Sequence, residues 1–297
     1  MSVPRSARRR LATAAALVVA LVTLPVLDGA TSVVEPASAA VATHVATTGC
    51  GPQPPAIDEP SGAPPLAQRV LPGWTRIYCT DFLGAHLPPG WLTFKGRPQG
   101  DPAGLWEPTH VQVQGGVLDL TTSRDPAYHD AWVSGGACLC GLPVRYGAFF
   151  VRSRLTGGGP ASVQLLWPKD NHWPPEVDFY ESWQFPNNNT FTVHWASTDH
   201  KAQGWRKANM TKWHTWGVFW TPTKLVFVVD WGANDWSVWG TLDRKGTIPT
   251  TPMTLDLQQE AWCSIAPNGC PTKASAMLID WVTVFVPTTS TPELPSA

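Results

Sequence analysis

Val117-Leu118-Asp119-Leu120-Thr121 and Ala148-Phe149-Phe150-Val151-Arg152-Ser153-Arg154 decide the fold class. Both change character with a period near two, the period at which side chains stand on opposite faces of a strand. Val163-Gln164-Leu165-Leu166-Trp167 and Leu225-Val226-Phe227-Val228-Val229-Asp230 continue the pattern, with Gly or Pro every few residues between such runs. No uncapped window keeps an apolar stripe at 3.6 spacing, so long helices are not expected. Many short antiparallel strands between turns favour two sheets packed face to face. The expected fold is all-β, a two-sheet antiparallel β-sandwich with a concave cleft.

Outward from these strands the composition changes. Residues 40–71 are rich in Ala, Pro, Gly and Thr and read as a linker, and 287–297 read as a flexible tail, which leaves 72–286 as the folded domain. Ahead of the linker, Arg5, Arg8, Arg9 and Arg10 precede an apolar run from Leu11 to about Val26, and Ala37-Ser38-Ala39 has the small residues of a cleavage site. Residues 1–39 therefore read as a signal peptide, and the protein as secreted and extracellular. The apolar run is shorter than the ~20 residues that span a bilayer, so no stable membrane anchor is expected.

The whole chain of 297 residues carries a formal net charge of −1, with Lys and Arg scattered beyond the N-terminus. No basic face invites a nucleic-acid backbone, and a monomer without a nucleic-acid partner is expected. Cys50, Cys79, Cys138, Cys140, Cys263 and Cys270 make an even number, which in an oxidising compartment implies disulfides. Cys263 and Cys270 bracket a Pro-Asn-Gly turn and could close a small loop, and Cys50 with Cys79 could tie the N-terminal segment down; the connectivity stays open. Cys138-Leu139-Cys140 lacks the second pair that a zinc site needs. Charged residues are only 14%, whereas Trp occurs 17 times, more than a core of this size requires. Aromatic rings are expected to stack on something.

Chemistry is concentrated in Trp173-Pro174-Pro175-Glu176-Val177-Asp178-Phe179-Tyr180-Glu181-Ser182-Trp183. In a regular strand Glu176 and Asp178 share a face while Glu181 takes the other. One extra residue at Phe179 or Tyr180, a β-bulge, brings Glu181 back to the face of Glu176. Clustered carboxyls in an apolar stretch raise one another's pKa, and burial adds to the rise. Retaining glycoside hydrolysis uses such a pair, one ionised nucleophile and one protonated acid about 5–5.5 Å apart. Glu176 is the candidate nucleophile, Glu181 the candidate acid and base, and Asp178 the group that tunes the nucleophile. The plain alternative is a solvated, charged strand face.

Glu176-Val177-Asp178-Phe179-Tyr180-Glu181 resembles the bulged E-x-D-x-x-E signature of glycoside hydrolase family 16, the laminarinase-like jelly rolls. Arg145 to Leu155 resembles the family's Y-G-x-x-x-V-R-x-R-L strand, Trp213 to Pro222 its F-H-x-Y-x-x-x-W-T-P strand and turn, and Met277 to Phe285 its closing strand. The resemblance runs from Thr80 to Phe285 and implies a concanavalin-like β-jelly roll. It also implies a secreted retaining endo-β-glucanase, with β-1,3-glucan of laminarin type as leading substrate, and Glu176, Asp178 and Glu181 in the roles given above. The family implies no required cofactor; a structural calcium on the convex sheet is implied for some members, and Asp280 matches a contributing position. The chain departs from the family's pattern at Asn187-Asn188-Asn189 and at Leu257-Gln258-Gln259-Glu260-Ala261-Trp262, where a glycine-rich loop is usual.

Sugars present C–H faces to aromatic rings and hydroxyls to polar groups. Trp173, Trp183, His194, Trp195, Gln258 and Trp262 are the candidate substrate-binding residues, with Glu260 an alternative to Gln258 and His194 a candidate partner of Glu181. Trp167, Trp216, Trp220 and Trp281 lie in apolar strands and are expected in the core. The competing functions are a transglycosylase or galactan hydrolase on the same site, or a non-catalytic carbohydrate-binding jelly roll.

Overall fold

A computed structural model of the chain describes residues 72–98, 100–182, 187–230, 236–264 and 270–296. The expected signal peptide, the linker, Cys50 and Trp183 lie outside the described residues.

The described strands, in chain order, are β1 (Trp74–Thr80), β2 (Leu92–Thr93), β3 (Val111–Gln114), β4 (Val117–Asp125), β5 (Ala131–Ser134), β6 (Gly136–Cys138), β7 (Gly147–Leu155) and β8 (Ala161–Pro168). They continue with β9 (Glu176–Ser182), β10 (Asn188–Trp195), β11 (His200–Lys207), β12 (His214–Trp220), β13 (Leu225–Val229), β14 (Ser237–Leu242), β15 (Met253–Glu260) and β16 (Ser275–Pro287). One sheet runs β14-β13-β12-β7-β16-β4-β3, with β1 beside β16 and β5 beside β4; the other runs β11-β10-β9-β8-β15-β6-β2. Every strand pairing is antiparallel, and the fold is the expected two-sheet sandwich.

The main core lies between the sheets, where Leu118, Phe149, Val151, Trp216 and Phe227 meet Val177, Phe179 and Val193. A second cluster of Ala148, Phe150, Phe219, Val226, Trp281 and Phe285 covers the opposite face of the larger sheet. That explains Ala148-Phe149-Phe150-Val151: a strand buried on both faces is apolar at consecutive positions. Residues 288–296 run back over this face. Thr288 N–H donates to the Gly73 carbonyl at 2.8 Å, Trp74 Nε1 donates to the Glu293 carbonyl at 2.9 Å, and Leu294 packs on the cluster. The segment expected as a flexible tail thus has defined partners, because β1 leaves an apolar surface for it to cover.

Cys263 pairs with Cys270 as the turn between them suggested, Cys138 pairs with Cys140, and Cys79 is also disulfide-bonded. Asp280, at the β16 irregularity between Ile279 and Trp281, is buried and ion-paired with Arg152 at 2.5 Å. Among the described residues it is not part of a cluster of three or more His, Cys, Asp or Glu side chains.

Candidate active site

The outer face of the smaller sheet lines a cleft of about 1310 Å³. Strand register builds its floor. Gln258, Val163, Glu181, Thr190 and Trp205 stand opposite one another across β15, β8, β9, β10 and β11. The neighbouring row is Asp256, Leu165, Asp178, Thr192 and Gln203, and in a third Glu176 faces His194, which faces Lys201. The row spacing along β9 is irregular. Between Thr190 and Thr192 β10 advances two residues while β9 advances from Glu181 to Asp178, and β8 shifts likewise between Gln164 and Leu165. Phe179 and Tyr180 both point into the core, and this bulge puts Glu176, Asp178 and Glu181 on the cleft side together.

Each acid has its own partners. Trp173 Nε1 donates to Glu176 Oε2 at 2.7 Å. Thr192 Oγ1 donates to Glu181 Oε2 at 2.8 Å, and Glu181 N–H donates to Asn189 Oδ1 at 2.8 Å. His194 holds Asp199 through Nδ1 at 2.5 Å and turns Nε2 toward Asp178 Oδ2 at 3.9 Å. It also acts electrostatically on Glu176 and on Glu181, favouring the ionised form of each. Burial raises the Glu176 carboxyl, an effect opposed by the Trp173 N–H and by His194. Burial also raises Glu181, against the Thr192 hydroxyl. Asp178 is driven well above the carboxylate range by burial and then by the charges of Glu176 and Glu181, and its carboxyl is hydrogen-bonded to Glu176. The hydrogen bond between them raises Asp178 and lowers Glu176, so of the pair Asp178 is the one that favours keeping the proton. Glu176, Asp178 and His194 bring ligand atoms within 4.8 Å of one another, close enough to share a cation.

The family model described as glycosyl hydrolases family 16 matches residues 101–283, more than half of the chain. The chain belongs to glycosyl hydrolase family 16. Among solved structures similar to this one, the laminarinase catalytic domain from Thermotoga petrophila RKU-1 has a TM-score of 0.62 at 16% identity, covering 74% of this chain and 100% of that one. The laminarinase from Rhodothermus marinus has 0.62 at 20% identity, with 74% and 100% covered. The endo-β-1,3-glucanase from Pyrococcus furiosus has 0.59 at 17% identity, with 72% and 94% covered. At such identities the likeness establishes a shared fold. Curated proteins yield no match.

Of the candidate substrate-binding residues, Trp173, His194, Gln258 and Trp262 line this family-16 cleft. Trp195 does not. His194 takes the cleft face of β10, so its neighbour turns inward, where Trp195 packs on the core and stacks with His200. Trp167 was expected in the core, yet it lines the cleft, with Nε1 donating to Asn171 Oδ1 at 3.0 Å. Trp216, Trp220 and Trp281 are fully buried. Sequence reasoning missed Asp256 and Trp205 and did not choose Glu260; all three line the cleft. Burial pushes Asp256 up to about 8 and Glu260 up to about 7. Glu260 accepts from Gln258 Nε2 and from Trp262 Nε1, each at 2.8 Å, which locks both binding candidates in place. Parity from Gln258 would have found Asp256 and Glu260, since positions 256, 258 and 260 share a strand face.

Proposed function

We propose that this glycoside hydrolase is a secreted, retaining endo-β-glucanase acting on β-1,3-glucan of laminarin type. The observation that carries the reading is the bulge at Phe179 and Tyr180, which gathers Glu176, Asp178 and Glu181 on the cleft side of one strand. Glu176, ionised under the Trp173 N–H and the Asp178 carboxyl, attacks the anomeric carbon. Glu181 gives its proton to the departing glycosidic oxygen, and a glycosyl ester forms on Glu176. Water then enters, Glu181 takes its proton, and the ester carbon–oxygen bond breaks to release a product of retained configuration. An open cleft with walls on both sides of β9 suits an endo-acting enzyme, and the names of the Thermotoga and Rhodothermus structures support laminarin as substrate. The basic, apolar and small-residue order of residues 5–39 supports export.

The test is reducing-sugar release from laminarin, lichenan, agarose and xyloglucan, with proton NMR of the first anomer formed and Glu176→Gln run alongside. The expected result is laminarin cleavage to the β-anomer, lowered by roughly 10⁴ or more in the variant. A folded wild type that binds a glucan and releases nothing would instead mark a binding module.

A further inference from the structure

β11 is an edge strand of the smaller sheet, and its side chains alternate: Lys201, Gln203 and Trp205 are exposed, whereas Ala202, Gly204 and Arg206 are half-buried. Trp205 is 65% exposed. Among the described residues the large apolar side chains this open to water are Leu83, Leu92 and Trp205, and of these Trp205 lines the cleft. An indole left in water at a sheet edge gives up burial energy and offers an edge to other chains, so such positions usually carry charge.

The surroundings of Trp205 are those of a built surface. Gly204 beside it lies so close to Phe191 that an added Cβ would stand 2.2 Å from the ring, so β11 is seated directly on the core. Gln203 Nε2 donates to Thr192 Oγ1 at 3.0 Å, and Thr192 donates to Glu181. Trp205 faces Thr190, which faces Glu181, so the indole stands two strand spacings, roughly 10 Å, from the acid. On the other side of β9 stands Trp262, packed on Ala161, Val163 and Leu165 of β8 and held by Glu260. Two aromatic platforms thus flank the acids on opposite sides.

We infer that Trp205 is the stacking platform of a sugar subsite on the β11 flank of the cleft, taking a ring of a β-linked hexopyranose chain that lies across β9 toward Trp262. The inference rests on the glucanase reading for the identity of the chain. Gln203, Thr190 and Lys201 supply polar partners for hydroxyls beside the ring, the mix of apolar face and few polar groups that sugar sites use. Stacking there contributes to holding the substrate and not to the chemical step, so it is felt in KM rather than kcat.

The test is isothermal titration of laminarihexaose and agarohexaose into Glu176→Gln, and into the same protein carrying Trp205→Ala or Trp205→Tyr, with circular-dichroism melts to confirm folding. Trp205→Ala should weaken binding of the favoured hexaose about tenfold, and Trp205→Tyr should restore most of it, since a ring returns. In the active enzyme, Trp205→Ala should raise KM by a similar factor with kcat changed less than about twofold. Equal affinity in Trp205→Ala overturns the inference while leaving the glucanase reading intact. If only agarohexaose binds, the glucan reading falls and Trp205 is judged by the same comparison on agarohexaose. Binding of neither hexaose to Glu176→Gln overturns both.

Discussion

The Thr192 hydroxyl donates to Glu181 Oε2 at 2.8 Å while accepting from Gln203 Nε2, so the candidate acid is braced from the next two strands. This hydrogen bond stabilises the ionised form of Glu181 and works against the burial that raises it. Thr192→Val removes the donor, and the Glu181 pKa rises further. A general acid must be protonated, so the alkaline limb of the kcat/KM profile should move to higher pH in Thr192→Val. An unmoved or lowered limb, read from initial rates between pH 5 and 10, would contradict the role given to Glu181.

Trp173 acts on the other carboxylate in the opposite sense for catalysis. Its N–H to Glu176 Oε2 favours the ionised nucleophile, and Trp173→Phe keeps most of the ring while removing that donor. The Glu176 pKa should rise, moving the acid limb upward and lowering kcat/KM on the acid side on the order of tenfold, with less effect above the limb. A uniform fall at every pH would assign Trp173 to sugar binding alone.

Asp256 titrates as a stability switch. Its folded-state pKa, pushed up to about 8 by burial, lies above the ordinary carboxylate value, so the folded protein holds a proton that the unfolded chain releases. The associated stability is complete below the unfolded pKa near 4 and is lost as pH rises through about 8. Asp256→Asn keeps a partner for the Thr254 hydroxyl and removes the titration. Thermal melts should show the variant gaining on wild type as pH rises from 5 to 8, at up to about 1.4 kcal/mol for each pKa unit crossed. Parallel curves would place the cost of Asp256 elsewhere.

How much of this was legible in the sequence depended on parity. Glu176, Asp178 and Glu181 could be placed because their spacing breaks period two by one residue, which demands the bulge found at Phe179 and Tyr180. Trp195 was misplaced because flanking the catalytic strand does not fix a facing: His194 takes the cleft side of β10, and its neighbour takes the other. Trp167 was given to the core because β8 is apolar at consecutive positions, and nothing in Leu165-Leu166-Trp167 tells which face meets the second sheet. Trp205 sits in His200-Lys201-Ala202-Gln203-Gly204-Trp205, where the inward positions are small or polar and no hydrophobic period marks a strand. Its role depends on β11 lying beside β10, a pairing made in space.

Gly204 and Gly240 explain why those inward positions are small. A Cβ on either would stand 2.2 Å from Phe191 Cε1, and Phe191 in turn stacks on Phe227 with centroids 4.2 Å apart. Gly204→Ala and Gly240→Ala should each destabilise by about 1–3 kcal/mol in urea melts, through overpacking. A shorter side chain at the shared ring, Phe191→Leu, should relieve much of the penalty in the double variants. Failure of that rescue would remove Phe191 as the cause.

β16 lies between β7 and β4 and also pairs with β1, so a strand near the middle of the larger sheet is formed by residues 275–287. As the chain leaves the ribosome, every other described strand emerges before that slot can be filled. Until it is, β7 and β4 expose unpaired backbone and apolar faces to whatever else is nearby. The two halves of the sheet, β14-β13-β12-β7 and β4-β3, can each pair internally, but they are joined only when residues 275–287 arrive, so the most distant partners in the chain are united last.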